Sequence, residues 1–143
     1  MEGVPECFYR ISVKALVLNE TRDKFLIAKE ENGRWELLGG GLDWGVAPQE
    51  DLKREIKEET NLKTTWIAET PTYFLTDQRD TDGLMIANVL YETELENLDF
   101  IPSDECVELK FVNFEDCKNL NVFPNVLQFA KMFDPKKHSK TKI

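Results

Sequence analysis

A chain of 143 residues, 41% of them hydrophobic, is sized for one compact domain with a real core, and no apolar run approaches the roughly 20 residues a membrane span needs. The net charge is −9, and the segment from Asp134 onward holds four lysines against one aspartate, so the body is more acidic still, at −12. That balance disfavours long nucleic acids, and it requires any phosphate ligand to arrive with a divalent cation.

Cys7, Cys106 and Cys117 are far apart and form no CxxC pair, which excludes a disulfide framework and a zinc knuckle. With no basic start followed by an apolar run at the N-terminus, the expected location is the reducing cytoplasm. The single histidine, His138, lies in the run Pro135-Lys-Lys-His-Ser-Lys-Thr-Lys142, which reads as a disordered basic tail over 135–143 after a single domain over 1–134. Catalysis by a histidine-based triad or pair is therefore set aside, leaving carboxylates, lysines, tyrosines and cysteines.

In chain order, Phe8 to Leu18 alternates and predicts a strand, Asn19 to Asp23 a turn, and Lys24 to Lys29 a second strand. The Asn-Gly pair before Arg34 is a further turn, and Arg34 to Leu38 reads as extended. Gly39-Gly-Gly41 cannot stabilise the interior of a helix or strand, so a loop is expected there, with backbone amides or carbonyls free to face an ion. Pro48 to Thr60 predicts a helix: proline suits its first turn, Glu50 and Arg54 pair at i,i+4, and Asn61 suits a left-handed terminus. Leu52 and Ile56 mark its buried side. Strands follow at 64–68, 72–76, 84–92 and 109–112, with a polar loop at 78–83 and an acidic one at 94–105; short helices are expected at 114–120 and 125–133. This order suggests an α+β or α/β/α layered domain with a mixed sheet.

On the central helix Glu55, Glu58 and Glu59 fall within about 100° of arc. Three carboxylates so close repel one another. An exposed acidic face is the bland explanation; a hard cation such as Mg²⁺ or Mn²⁺ is the functional one. The glycine triplet just before the helix favours the second, because loop backbone and helix carboxylates then converge on one point.

The segment Gly40 to Leu62 resembles the Nudix box, a 23-residue pattern of Gly, five residues, Glu, seven residues, then Arg-Glu-apolar-any-Glu-Glu-any-Gly-apolar. Gly40, Arg54, Glu55, Ile56, Glu58, Glu59 and Leu62 match in register, and Trp35 to Gly40 is similar to the family's approach to the box. Val46 stands in place of the first glutamate and Asn61 in place of the late glycine. Leu38 replaces a proline, Ala47 a capping Ser or Thr, and Asp51 a small apolar residue. The resemblance implies a Nudix-like α/β/α sandwich with a mixed β-sheet between helices. It implies a Mg²⁺-dependent (or Mn²⁺-dependent) hydrolase that cuts the phosphoric anhydride of a nucleoside diphosphate derivative. A catalytically weakened nucleotide-binding module is the alternative that Val46 keeps open.

By position, Glu55, Glu58 and Glu59 are the implied metal ligands, joined by the backbone carbonyl of Gly39 or Gly40, and Arg54 orients a carboxylate. The general base lies outside the box in many members, and Glu105 and Glu108 are candidates because they precede the last strand. For the substrate, Gly40 and Gly41 would offer backbone to phosphates. Asn125 would read a base, although it also suits a helix N-cap, and Tyr73, Phe74 or Trp35 would stack on one, although core packing serves them equally. Arg10, Lys14, Arg34 and Arg79 are possible phosphate contacts. No signature of the ADP-ribose, dinucleoside polyphosphate or coenzyme A subclasses is visible, which leaves a small nucleoside triphosphate-like substrate as the default.

Overall fold

The computed structural model describes residues 6–138. Eight strands and three helices form: β1 (Arg10–Leu16), β2 (Phe25–Lys29), β3 (Trp35–Glu36), β4 (Gly39–Gly41), α1 (Pro48–Thr60), β5 (Thr64–Ile67), β6 (Tyr73–Gln78), β7 (Met85–Leu95), β8 (Glu108–Val112), α2 (Phe114–Cys117) and α3 (Pro124–Met132). None of these helices is long and apolar enough to cross a membrane.

The principal sheet is mixed. β1 runs parallel to the long strand β7 over seven residue pairs, whereas β4 adds antiparallel to β1, and β5 and β6 add antiparallel to β7. A second, three-stranded sheet has the antiparallel order β3-β2-β8. The alternation of β1 divides its side chains between two cores. Leu16 joins Phe25, Leu75, Leu90 and Phe129 on the α3 side, and Val13 and Ala15, with Val17 just past the strand, join Leu52 and Ile56 on the α1 side. The result is helix, sheet and helix in layers, as the order of elements suggested.

Three expectations need correction. The glycine triplet is a short strand and not a free loop: Gly41, Gly40 and Gly39 pair with Ser12, Val13 and Lys14. The sheet supplies the order that the residues lack, and only glycine fits, because a Cβ on Gly39 would lie 2.1 Å from the Val13 carbonyl oxygen at a φ of +129°. β7 runs on to Leu95, three residues past the expected end, because its second half pairs with β5.

The third concerns the tail. Pro135–His138 is an ordered 3₁₀ turn with His138 only 3% exposed. Its Nε2 shares a 2.7 Å hydrogen bond with the Tyr73 hydroxyl, its ring stacks on Phe133, and Arg22 donates to its carbonyl. A buried tyrosine hydroxyl needs a partner, and the histidine supplies one; the surrounding lysines conceal this in the sequence. The rest of the expected tail, 139–143, lies outside the described residues.

Candidate active site

α1 begins without a side-chain cap, since Ala47 offers none, and ends at Asn61 in the left-handed conformation (φ 62°), as its sequence predicts. With Leu52 and Ile56 in the core, the remaining faces are set. Arg54 is the hub of the outer one. It bonds Asp51 at 2.5 Å, both oxygens of Glu58 at 2.9 and 3.0 Å, and Glu55 at 3.1 Å. Asp51 is fully buried, and it also accepts from the Asp43 amide. It is a positioning residue that sequence reading had recorded only as a departure: a buried carboxylate needs a charged partner, and Arg54 fills that role.

The three helix glutamates are not equivalent. Glu59 is buried and accepts a 3.0 Å hydrogen bond from the Gly39 amide. Glu55 packs its carboxyl group on Gly40, where a Cβ would lie 2.9 Å from its carboxyl carbon. Glu58, 60% exposed, turns outward to Arg54. Burial pushes the Glu59 carboxyl well above the usual carboxylate range, opposed by Lys14 and the Gly39 amide and reinforced by Glu105. Burial also raises Glu55, against the pull of Arg54. Glu105 lies on the 103–106 turn with its side chain exposed, and that turn is anchored to α1 by the Ser103 hydroxyl, which donates to the Glu59 carbonyl at 2.7 Å. Glu108 instead opens β8 opposite Lys29 with its side chain exposed.

On the other side of β4 lies a polar cavity of about 130 Å³, whose walls include Lys14, Glu36, Gly40, Gly41, Asp77, Arg79, Asn88, Phe123 and Asn125. The register explains it. Ser12, Asn88 and Leu75 form one cross-strand row and Arg10, Ile86 and Asp77 the next, so polar residues cap the inner face where the apolar core ends. Lys14 is buried and lies 3.8 Å from Glu36.

A family model described as NUDIX domain matches residues 8–133. The chain belongs to the Nudix family. A MutT-like protein of Streptomyces ambofaciens is 34% identical over 62 residues, which is 43% of this chain and 40% of that relative. Among solved structures, the MutT protein of Methanosarcina mazei superposes with a TM-score of 0.74 at 23% identity, covering 95% of this chain and 100% of that one. An ADP-ribose pyrophosphatase of Streptococcus suis superposes at 0.67 and 21% identity, covering 95% and 96%. At these identities the structural likeness establishes the fold. Members of the Nudix family act on pyrophosphate bonds of nucleoside diphosphate derivatives and generally use divalent metal ions.

Placed on this Nudix domain, the box residues divide: Glu55 and Glu59 abut Gly40 and Gly39, whereas Arg54 and Glu58 pair with each other on the outer face of α1. Among the described residues no three His, Cys, Asp or Glu side chains stand close enough to form a ready-made metal cage, and Glu58 faces Arg54. The residues nonetheless fit a hard cation. All donors are oxygens, two carboxylates already abut the glycine strand, and Gly40 lacks the Cβ that would displace one of them.

Of the expected substrate residues, Gly40, Gly41 and Asn125 line the polar cavity. Tyr73 does not. It points into the α3-side core against Phe129, with its hydroxyl engaged by His138 and the Asp134 amide. Trp35 is likewise core, and Phe74 projects outward on the opposite face of β6. Asn125 is not the N-cap of α3, a place held by Phe123, but its second helical residue. Asp77, Asn88 and Glu36 were missed; the strand alternation that turns Asp77 inward with Tyr73 and Leu75 was the available signal.

Proposed function

We propose that this chain is a Mg²⁺-dependent hydrolase of the phosphoric anhydride in a small nucleoside diphosphate derivative, with a nucleoside triphosphate as the default substrate, acting in the cytoplasm. The observation that carries the reading is the glycine strand β4. One face meets the Glu55 carboxyl at Gly40, and the same glycines form a wall of the polar cavity. A nucleoside in the cavity thus delivers its phosphates to the carboxylates.

Glu55 and Glu59, with Glu58 swung from Arg54, would hold the cation, and the Gly39 or Gly40 carbonyl would add a backbone ligand. Bound there, Mg²⁺ supplies neutralisation of the pyrophosphate charge and eases formation of the attacking nucleophile. The chain's own groups do the rest. The Arg10 guanidinium, packed on Gly41 and bonded to the Leu42 carbonyl at 2.9 Å, would bind phosphate oxygens. Glu105, on the turn that Ser103 ties to Glu59, would take the proton of the attacking water. Arg54 holds Glu58 and Glu55 in orientation.

A second reading, a binding module with weak turnover, is favoured by one observation: Val46, apolar and 39% exposed, occupies the place of the box's first glutamate. The two separate in one assay. Incubation with a panel of nucleoside di- and triphosphate compounds and Mg²⁺, followed by phosphatase and phosphate detection, should show release that disappears in Glu59→Gln. Mg²⁺-dependent binding without release supports the module. Neither binding nor release, with Mn²⁺ affinity unchanged by Glu59→Gln, removes the site.

A further inference from the structure

The cavity beside β4 contains a hydrogen-bond relay whose direction is fixed by its ends. Carboxylates accept only, so the Asn88 amide nitrogen must face Asp77, to which it donates at 2.7 Å, and the Asn125 amide nitrogen must face Glu36, to which it donates at 2.9 Å. Asn125 also donates to the Asn88 oxygen at 3.1 Å, and its own oxygen accepts from the Val126 amide at 2.9 Å. Both Asn125 N–H groups are therefore spent inside the protein. The second Asn88 N–H points to the Leu75 carbonyl. Glu36 is engaged as well: its Oε1 accepts from the Leu37 amide and Asn125, and its Oε2 faces Lys14.

Asp77 is the exception. It is only 6% exposed and lines the cavity, yet among the described residues its side chain accepts one hydrogen bond, at Oδ1. Two carboxylate oxygens offer about four acceptor positions, so most of its capacity opens on the cavity. Its second oxygen is open to the cavity and not sealed in the protein, so a ligand entering there meets an accessible anionic acceptor already fixed in direction by Asn88.

We infer that Asp77, held by the relay Asn88–Asn125–Glu36, reads the base of the nucleotide, and that the base is guanine. The inference rests on the nucleotide reading of the site. A carboxylate selects adjacent donors. Guanine presents N1–H beside its exocyclic amino group and satisfies both oxygens. Hypoxanthine keeps N1–H alone. Adenine and cytosine place a ring acceptor beside their amino group, and uracil flanks its single N–H with two carbonyls, so each brings a lone pair against the anion. Phe123 adds aromatic surface on the cavity wall. On this account Asn125 is a positioning residue, not the reader.

The test is equilibrium binding to the full chain with Mg²⁺, using non-hydrolysable α,β-methylene triphosphates of guanosine, inosine, adenosine, uridine and xanthosine. Guanosine should bind at least about tenfold more tightly than inosine, the value of a charge-assisted hydrogen bond, with adenosine and uridine weaker still. The isosteric Asp77→Asn keeps the bond from Asn88 and replaces one acceptor with a donor. It should therefore bind the xanthosine compound, with its C2 carbonyl, more tightly than the guanosine compound, at an unchanged melting temperature. Asn125→Ser, which breaks the relay without touching the base, should flatten the guanosine-to-inosine ratio without creating xanthosine preference. Equal binding of guanosine and adenosine by the native chain, or guanosine preference surviving in Asp77→Asn, overturns the assignment while leaving the nucleotide reading intact. Failure of every analogue to bind overturns both.

Discussion

The Gly39 amide donates to Glu59 Oε1 across 3.0 Å, tying the last turn of α1 to the strand that precedes it by twenty positions. The bond fixes a carboxylate that burial works against, and Glu105 raises the cost further. Such a group is retained for its charge and not for its contribution to folding. Glu59→Gln, which can still accept from Gly39, is therefore predicted to lower hydrolysis by about a hundredfold or more while leaving the metal-free melting temperature equal or higher. Glu58→Gln alters an exposed partner of Arg54 that must swing away to reach the cation, so it should lower hydrolysis less than Glu59→Gln and leave the melting temperature nearly unchanged. Melting curves without metal and initial rates with Mg²⁺ check the pair. A Glu59→Gln protein that is fully active, or unfolded, contradicts this account.

The neighbouring glycines are predicted to fail in different ways. An Ala at Gly40 meets the Glu55 carboxyl, the movable end of a side chain, so Gly40→Ala should fold with a loss of under about 1 kcal/mol yet bind Mn²⁺ more weakly. An Ala at Gly39 meets the Val13 carbonyl at 2.1 Å in a conformation that L-residues avoid, so Gly39→Ala should lose about 2 kcal/mol or more. Urea unfolding and Mn²⁺ titration followed by electron paramagnetic resonance distinguish loss of fold from loss of ligand.

Burial pushes both the Cys106 and Cys117 thiols up to about 11, and Cys7 is exposed. A thiol that stays protonated reacts slowly, so a disulfide reagent at neutral pH should modify one cysteine in the native chain and three after denaturation. The same shift sets a pH dependence. An unfolded chain releases these protons near the ordinary value of 9.0, whereas the folded chain holds them to about 11. Folding then retains protons that the unfolded state has lost. The stabilisation these thiols contribute is complete below pH 9 and declines as pH rises from 9 towards 11. Cys117→Ser, whose hydroxyl does not titrate in this range, should show a shallower decline; an identical slope would reject the linkage.

The parts of this molecule that the sequence announces are those governed by local rules. Helix α1 starts at Pro48 and ends at Asn61 because a proline and a left-handed asparagine are local signals, and the carboxylate spacing within it follows from helical period. What the sequence conceals depends on partners far away in the chain. Gly39–Gly41 is a strand only because β1 pairs with it, and Tyr73 packs in the core against Phe129 with its hydroxyl met by His138, 65 positions away. Asp77 joins Asn88 through sheet register, and Asn88 meets Asn125 across 37 positions, so the cavity has no contiguous motif at all. Glu105 and Glu108 could both be nominated from their place before a strand, but that the 103–106 turn is tied to Glu59 through Ser103 is a tertiary contact the sequence does not show.

Val46 offers a test in the opposite direction, a gain. It follows Gly45, whose φ of +78° turns the chain, and precedes the uncapped start of α1. Its side chain is 39% exposed and belongs to neither core cluster, so replacing it should change stability by no more than about 0.5 kcal/mol. A carboxylate at this position would also face the positive end of α1, which has no capping side chain of its own. If the missing glutamate limits the cation site, Val46→Glu should tighten Mn²⁺ binding and raise turnover by about tenfold, the effect of one well-placed charge near the reacting phosphates. Turnover and Mn²⁺ affinity should rise together and vanish together in the double variant with Glu59→Gln. A rate unchanged from the native chain, with the fold intact, would mean that Val46 is a neutral replacement and that Glu55 and Glu59 suffice beside the glycine strand.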